Sequence, residues 1–392
     1  MNILRIITSM NPENGGPCQG IRNSIPALKK IDVHNEVVCF DSPDASFLGK
    51  DDFTIHAIGP AKGPYAYCPA LKPWLADNLH RFDAVIIHGL WQYNGYGAYS
   101  AWKKFKRSNA VAPKLYVMPH GMLDPYFQIA KERRVKAIRN YMFWKLFENT
   151  IVNKSTGVLF TCQEELLLAR QPFSPYKPNL ELNIGYGIPS PPEFNEAMRT
   201  AFQEKCSGVI GKPYMLFLSR IHHKKGVDLL IKAYLKLKDT HNLPALVIAG
   251  PIDNAYGQEM KQLASASKDI IFPGMLTGNA KWGAFYGSEA FILPSHQENF
   301  GIAVVEAMAS TKPVIISSQV NIWREIKDGN AGIVIDDTEE GVLNGLQQWM
   351  ALSNNAKQDM GVNAYNTFKK HFSVEQAAVN LKDTFQKISN GK

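Results

Sequence analysis

Cysteine is scarce in this chain and carries no pattern. Its five residues (Cys18, Cys39, Cys68, Cys162 and Cys206) are scattered, odd in number and free of any CxxC spacing. This excludes a disulfide framework and a cysteine-based metal site, and it fits reduced thiols in a cytoplasmic protein. No stretch reaches the roughly 18 uninterrupted apolar residues that a membrane-spanning helix needs. The N-terminal MNILRIIT enters a short apolar run with no small-residue cleavage site behind a longer hydrophobic core, so it does not read as a secretory signal. Low-complexity tracts and short internal repeats are missing too. So are a GxxxxGK[ST] phosphate loop, a GxGxxG after the first apolar run and any D-x-D pair, which leaves no evident metal-held diphosphate. The nearest approach to a phosphate loop is ENGGPCQG (13–20), whose paired Gly15 and Gly16 can form a tight turn before a helix.

What is present is ordinary globular composition: 392 residues, 45% hydrophobic and 20% charged, a length that favours two domains. The net charge of +8 is uneven, because residues 1–190 carry 22 basic against 15 acidic side chains and the remainder 21 against 20. Basic residues cluster in KKFKR (103–107) and KERRVKAIR (131–139), the latter running into YMFWKLF. Basic and bulky apolar residues at helical spacing suit an amphipathic helix on an anionic membrane surface. The plainer reading, which the sequence favours, packs that helix on its own domain through Ile138, Tyr141, Met142 and Phe147. No nucleic-acid-binding motif accompanies the charge.

Short β-branched runs alternate with helical patterns along nearly the whole chain. ILRIIT, NEVVCF, DAVIIHG, KLYVMPHG and GVLFTC fall in the first half; YMLFLSR, ALVIAG, DIIFPG, AFILPS, KPVIIS and AGIVID fall in the second. Continuous apolar strands alternating with helices imply parallel sheets covered on both faces. The expected fold is therefore α/β, with two doubly wound domains facing each other across a cleft. Proline-rich GIPSPPEF and the turn SGVIGKP place the break near residues 187–212. The expected domains are 1–190 and 191–370, followed by a C-terminal helix, 371–392, that can pack back on the first domain or stay with the second.

Ligands of open parallel sheets bind beyond the carboxyl ends of the strands. After YMLFLS comes RIHHKKG, where Arg220 and Lys225 stand beside Gly226 at the start of a helix. Two cations at a helix N-terminus form an anion site, because side-chain charge adds to unpaired amides and the dipole. After AFILP comes SHQENFGIAVVE, with a helix expected to begin near Phe300 or Gly301. The amides of Asn299, Phe300 and Gly301 can then hold phosphate. Glu306 lies on or beside the apolar face of that helix, where a lone carboxylate needs hydrogen-bond donors such as ribose hydroxyls. Alternatively Glu298 caps the helix and Glu306 faces water. His120 follows YVMP at another strand end, and His88 sits similarly in VIIHGLW. Trp91, Gln92 and Tyr93 line a cleft or pack, as do Tyr65 and Tyr67.

Taken together, these elements resemble the family-four retaining glycosyltransferases of GT-B architecture, in the branch that assembles bacterial polysaccharides. ENFGIAVVE resembles the family's E-x7-E signature, Glu298 to Glu306. LSRIHHKKG resembles its Arg-loop-Lys-Gly element; FPGML, PVIIS…REIKDGNAGIVI, GGP, HGLWQ and PHGMLDP are similar to further family elements. Thr311 departs from the glycine usual after the E-x7-E helix.

The resemblance implies a donor site in which Arg220 and Lys225 bind the diphosphate and stabilise it as leaving group. Glu306 would hold the ribose. Glu298 with the amides of Asn299, Phe300 and Gly301 would hold sugar and phosphate. His120 would contact the sugar near the reacting carbon, Gly15 and Gly16 would shape the loop where acceptor meets phosphate, and Gly274, Met275 and Leu276 would lie near the base. The implied reaction moves a hexose from a UDP- or GDP-linked sugar to a glycan or a lipid-diphosphate-linked acceptor. No metal or other cofactor is expected. No side chain is a convincing nucleophile, so retention points to front-face attack assisted by the leaving phosphate, with fixed cations supplying the stabilisation. The rivals are an epimerase or hydrolase on the same fold, a non-catalytic binding module, and a nicotinamide-dependent oxidoreductase, against which the missing GxGxxG counts. The expected location is the cytoplasm, with peripheral association at the inner membrane face.

Overall fold

The apolar runs form parallel strands in the structure, a computed structural model describing residues 1–130 and 133–390. One sheet contains β1 (Asn2–Ile6), β2 (His34–Cys39), β3 (Ile55–Ala57), β4 (Ala84–His88), β5 (Lys114–Met118), β6 (Gly157–Phe160) and β7 (Glu181–Asn183). Their spatial order is β3-β2-β1-β4-β5-β6-β7, with every pairing parallel. The other contains β8 (Tyr214–Leu218), β9 (Ala245–Ala249), β10 (Ile270–Gly274), β11 (Ala290–Leu293), β12 (Val314–Ser317) and β13 (Gly332–Ile335). Its order is β10-β9-β8-β11-β12-β13, again all parallel. The edge strands β3 and β7 do not stand out in the sequence. They are three residues long and only partly buried, so they never needed a continuous apolar run.

The chain divides into two units, Met1–Gly187 with Val374–Lys392, and Ile188–Ser373. The breaks differ slightly from those expected because Ile188 and Ser373 form a parallel bridge inside the second unit, where Ile188 N–H donates to Phe372 O at 2.9 Å.

In the first unit the two-residue period of the strands sorts side chains onto two faces. Leu4, Ile6, Val85, Ile87, Leu115 and Val117 enter one core, while Ile3, Ala84, Ile86, Tyr116 and Met118 enter the other. The last helix, Val374–Ser389, covers the second face with Val374, Ala378, Leu381 and Phe385, a stripe at helical spacing. Phe385 stacks on Tyr116 with centroids 4.3 Å apart, and Lys382 Nζ donates to Ile31 O at 2.7 Å. This helix therefore belongs with the first sheet.

The basic segment departs from the favoured reading. Lys131 and Glu132 lie outside the described residues. The helix Arg134–Phe143, continued by Trp144–Glu148, turns Ala137, Asn140, Trp144 and Glu148 inward. That leaves Ile138 65% exposed, Tyr141 50% and Met142 57%, so they do not pack the helix on its own unit. Phe147 does pack, edge-on to Tyr96 at 5.4 Å. Among the described residues, no helix is long and apolar enough to cross a membrane.

Candidate active site

In the second sheet the strand order reverses between β8 and β11, the position at which open parallel sheets hold ligands. The loops after these two strands are joined directly. Ser295 Oγ and His296 N–H donate to Lys224 O at 2.9 and 2.8 Å, and Lys225 Nζ forms an ion pair with Glu298. The Lys225 side chain is only 7% exposed and that of Glu298 23%, so the pair is a largely buried charge couple rather than a surface one. Arg220, two residues beyond β8, is exposed. His222 caps the short turn before the helix by accepting from Lys224 N–H at 3.1 Å. Burial, and then the neighbouring cations, push its pKa down.

Glycine is required where the two loops meet. Gly226 has φ 65° and ψ 29° and precedes the helix Val227–Leu237; a Cβ there would stand 2.1 Å from Pro294 O. Gly301, with φ 76°, precedes the helix Ile302–Ala309, which starts just after the expected Phe300 or Gly301. Neither glycine supplies a capping side chain, so the first turns of both helices face the strand ends without one. Phe300 is buried edge-on to Phe372 at 5.7 Å, which anchors the turn. Glu298 is held by backbone on both sides, its N–H donating to Gln319 O and its C=O accepting from Asn321 N–H, both at 2.9 Å.

Glu306 has a partner that sequence reasoning missed. Lys281 Nζ, from the helix Gly278–Gly287, donates to its carboxylate at 2.8 Å. The partners are 25 residues apart on different helices, and no local pattern pairs them. Gly274 ends β10 with φ 77° and accepts from Gly250 N–H at 2.9 Å; Met275 beside it is exposed and Leu276 buried. Thr311 adopts φ 62°, so the turn after the helix keeps a left-handed conformation without the glycine that ordinarily supplies it.

In the first sheet the order reverses between β1 and β4. A cleft of about 660 Å³ opens there, lined by Thr8, Ser9, Asp41, His88, Gln92 and Met122 among others. Asp41 accepts from Ser9 Oγ at 2.6 Å and from Met10 N–H at 2.7 Å, a role its neighbours in sequence do not announce. Gln92 faces this cleft, whereas Trp91 packs on Phe173 and Tyr93 enters the core. Gly15, with φ 74° and ψ −136°, turns the chain into the helix Gly16–Lys29, and Gly16 O accepts from Tyr186 Oη at 3.1 Å. Both glycines thus shape the entry to a helix at the carboxyl end of β1.

His120 follows β5 with φ 52°, and its Nε2 lies 2.8 Å from Nδ1 of His88. Arg5 Nη1 lies 3.4 Å from His88 Nε2. Burial, reinforced by the Arg5 charge, pushes His120 down to about 4, and burial, then His120, then Arg5 push His88 well below its ordinary value. His120 is thus neutral at physiological pH. Among the described residues no three His, Cys, Asp or Glu side chains gather as metal ligands, and all five cysteines are buried free thiols.

Residues 202–367 match the family described as Glycosyl transferases group 1. A glycosyltransferase of Methanocaldococcus jannaschii, itself uncharacterized, is 32% identical over 155 residues; the match covers 37% of this chain and 40% of that protein, under half of each. The lipopolysaccharide core biosynthesis mannosyltransferase LpcC of Rhizobium leguminosarum is 24% identical over 79% of this chain and 84% of its own length. In fold, the chain is similar to Anabaena HepE, solved in complex with UDP, at a TM-score of 0.74 and 16% identity, covering 99% of this chain and all of that one. The two Rossmann-like parallel sheets are those of the GT-B architecture.

Proposed function

From the group 1 glycosyl transferase domain that this chain carries, we propose a retaining hexosyltransferase that moves sugar from a nucleoside diphosphate to a glycan or lipid-linked acceptor. The observation that carries this reading is the buried Lys225–Glu298 pair between two glycine-capped helix starts at the β8/β11 reversal. Breaking the anomeric C–O bond places negative charge on the departing phosphate. Lys225, Arg220 and the helix N-termini stabilise that charge without moving a proton. Glu298, released from part of its contact with Lys225, takes sugar hydroxyls, and the backbone of Asn299, Phe300 and Gly301 borders the sugar and phosphate. Glu306, fixed by Lys281, accepts from the ribose. Gly274, Met275 and Leu276 border the base, Gly15 and Gly16 border the phosphate, and His120 donates to the sugar near the reacting carbon. In this reading the acceptor attacks from the face the phosphate leaves, and no metal takes part.

The HepE structure with UDP-glucose supports a nucleotide-sugar donor, and the LpcC relationship supports a role in lipopolysaccharide or related polysaccharide assembly. The first unit docks on an anionic bilayer in this proposal. Val135, Ile138, Met142 and Leu146 are 57–82% exposed and interleave with Arg134, Lys136, Arg139 and Lys145, a combination that suits acidic headgroups above an apolar layer.

A panel of UDP- and GDP-sugars, assayed with and without acceptor and in chelator, tests the reaction. Transfer with retained anomeric configuration, unaffected by chelator, is expected. Release of free sugar regardless of acceptor identifies a hydrolase instead, and stabilisation by NAD alone overturns the reading. Binding to phosphatidylglycerol vesicles at low salt, lost at high salt, is expected; no binding at low salt removes the membrane part.

A further inference from the structure

Arg5 is a cation in the middle of a strand, 4% exposed, and neither the sequence motifs nor the donor site accounts for it. The alternation of β1 and β4 puts Arg5 and His88 on the face that carries Ile3 and Ile86, and the register sets Arg5 opposite Ile86 and His88 opposite Met118. Arg5 Nε donates to Asn35 Oδ1 at 2.9 Å. Asn35 Nδ2 in turn donates to Val33 O at 3.1 Å, which fixes the amide so that its oxygen faces the guanidinium.

We infer that Arg5 is a positioning residue that acts through His88 to select the tautomer of His120, leaving His120 with its proton on Nδ1 as a hydrogen-bond donor. A guanidinium has five N–H donors and no acceptor. Arg5 Nη1, 3.4 Å from His88 Nε2, therefore requires that nitrogen to accept. A neutral His88 then carries its proton on Nδ1, which lies 2.8 Å from His120 Nε2 and must donate to it. His120 accepts at Nε2, so its proton is on Nδ1. The opposite polarity would set an Nε2–H of His88 against an N–H of Arg5.

Ring geometry agrees. The centroids are 5.1 Å apart with planes 21° apart, and with a 2.8 Å nitrogen contact the rings must meet edge to edge and nearly coplanar. In that arrangement an N–H points along the partner's lone pair. The helices over this face contribute Ile21, Ser24 and Leu28, and Ala378 and Leu381, none of which titrates near neutrality. Tyr186 is the other titratable group facing Arg5; burial raises its pKa, so it stays neutral. Burial lowers Arg5 itself only to about 10, so it remains charged at neutral pH. With the cation at its head, the chain disfavours protonation of either histidine.

The consequence rests on the proposed function: His120 serves the donor sugar as a fixed donor, not as a base. Nitrogen-15 spectra of the histidines in the unaltered protein at neutral pH test the tautomer without any activity. His88 and His120 are both expected with a protonated Nδ1 and an unprotonated Nε2. An Nε2–H tautomer at His120, or an imidazolium, overturns the inference. The Arg5→Met variant is expected to mix the two tautomers and to lower kcat about tenfold, near the worth of one hydrogen bond, with little change in donor KM. The same spectra followed across pH should show the histidines of Arg5→Met protonating at higher pH, because the cation that disfavours their charged forms is lost. His88→Asn, which keeps an N–H near the Nδ1 position, should recover most of the rate that His88→Leu loses. Unchanged kcat per folded Arg5→Met molecule means that Arg5 is structural only. If the unaltered protein transfers no sugar, the proposed function fails while the tautomer measurement still stands.

Discussion

Replacing Gly226 by alanine isolates the joint on which the second unit's site depends. The backbone there is left-handed, at φ 65° and ψ 29°, a conformation that costs an L-residue about 1 kcal/mol. The added Cβ would also stand 2.1 Å from Pro294 O and 3.0 Å from Pro294 C, so the two loops must separate by roughly an ångström. Inserting a methyl group into a packed position costs about 1–3 kcal/mol, making the expected total about 2–4 kcal/mol. Gly211→Ala is the matched control. Gly211 has φ 72°, but a Cβ there meets nothing within 4 Å, so only the conformational cost of about 1 kcal/mol applies. Hydrogen exchange of β8 and β11 measures the opening free energy within this unit, avoiding any assumption that the two units unfold together. Because Lys225 and Glu298 lie on the two loops being separated, UDP affinity should also fall in Gly226→Ala and not in Gly211→Ala. Equal losses of protection in the two variants would refute the claim that the loops touch at this glycine.

Three further outcomes follow from the structure. Burial raises Glu148 to about 7 from 4.5; its Oε1 accepts from Trp91 N–H at 2.8 Å, and its Oε2 has no hydrogen-bond partner among the described residues. The folded protein therefore holds this proton more tightly than the unfolded chain, so the contribution of Glu148 to stability is fully present below pH 4.5 and is lost as pH rises through about 7. The loss is on the order of 3 kcal/mol, and Glu148→Gln should flatten the melting-temperature profile between those limits; an unchanged slope would contradict it. Thr311→Gly exchanges left-handed strain for chain entropy, so its stability should match or exceed the parent by up to about 1 kcal/mol in urea unfolding. A loss beyond that would mean the threonine is held by something other than its backbone. Glu306→Gln keeps an oxygen that accepts from Lys281 but leaves that cation without its counter-charge in a pair only 24% and 16% exposed, so it should cost about 1–3 kcal/mol of stability and weaken UDP binding by the folded protein at least tenfold by calorimetry. Retained affinity would remove Glu306 from the ribose.

Sequence periodicity was enough to locate nearly all the strands, because a buried parallel strand needs an unbroken apolar run. It failed at β3 and β7, which are short edge strands with half-buried side chains. It also misjudged the helix Arg134–Phe143. Spacing shows that Ile138, Tyr141 and Met142 share a side of the helix, but not which side meets the core; Ala137, Asn140 and Trp144 took that place.

The site divides the same way. The sequence by itself determined two parallel α/β sheets, the residues that follow their strands, Arg220, Lys225, Glu298 and His120, and Glu306 in the helix after one of them. Those properties follow from local pattern, since strand period and helix start are set by neighbours along the chain. Only the tertiary structure decided which of these groups face a partner. Lys225 met Glu298, Lys281 met Glu306, and Arg5 met His88 and through it His120. Each pair joins elements 25 to 83 residues apart, brought together by strand order and register, so nothing short of the folded sheets specifies them.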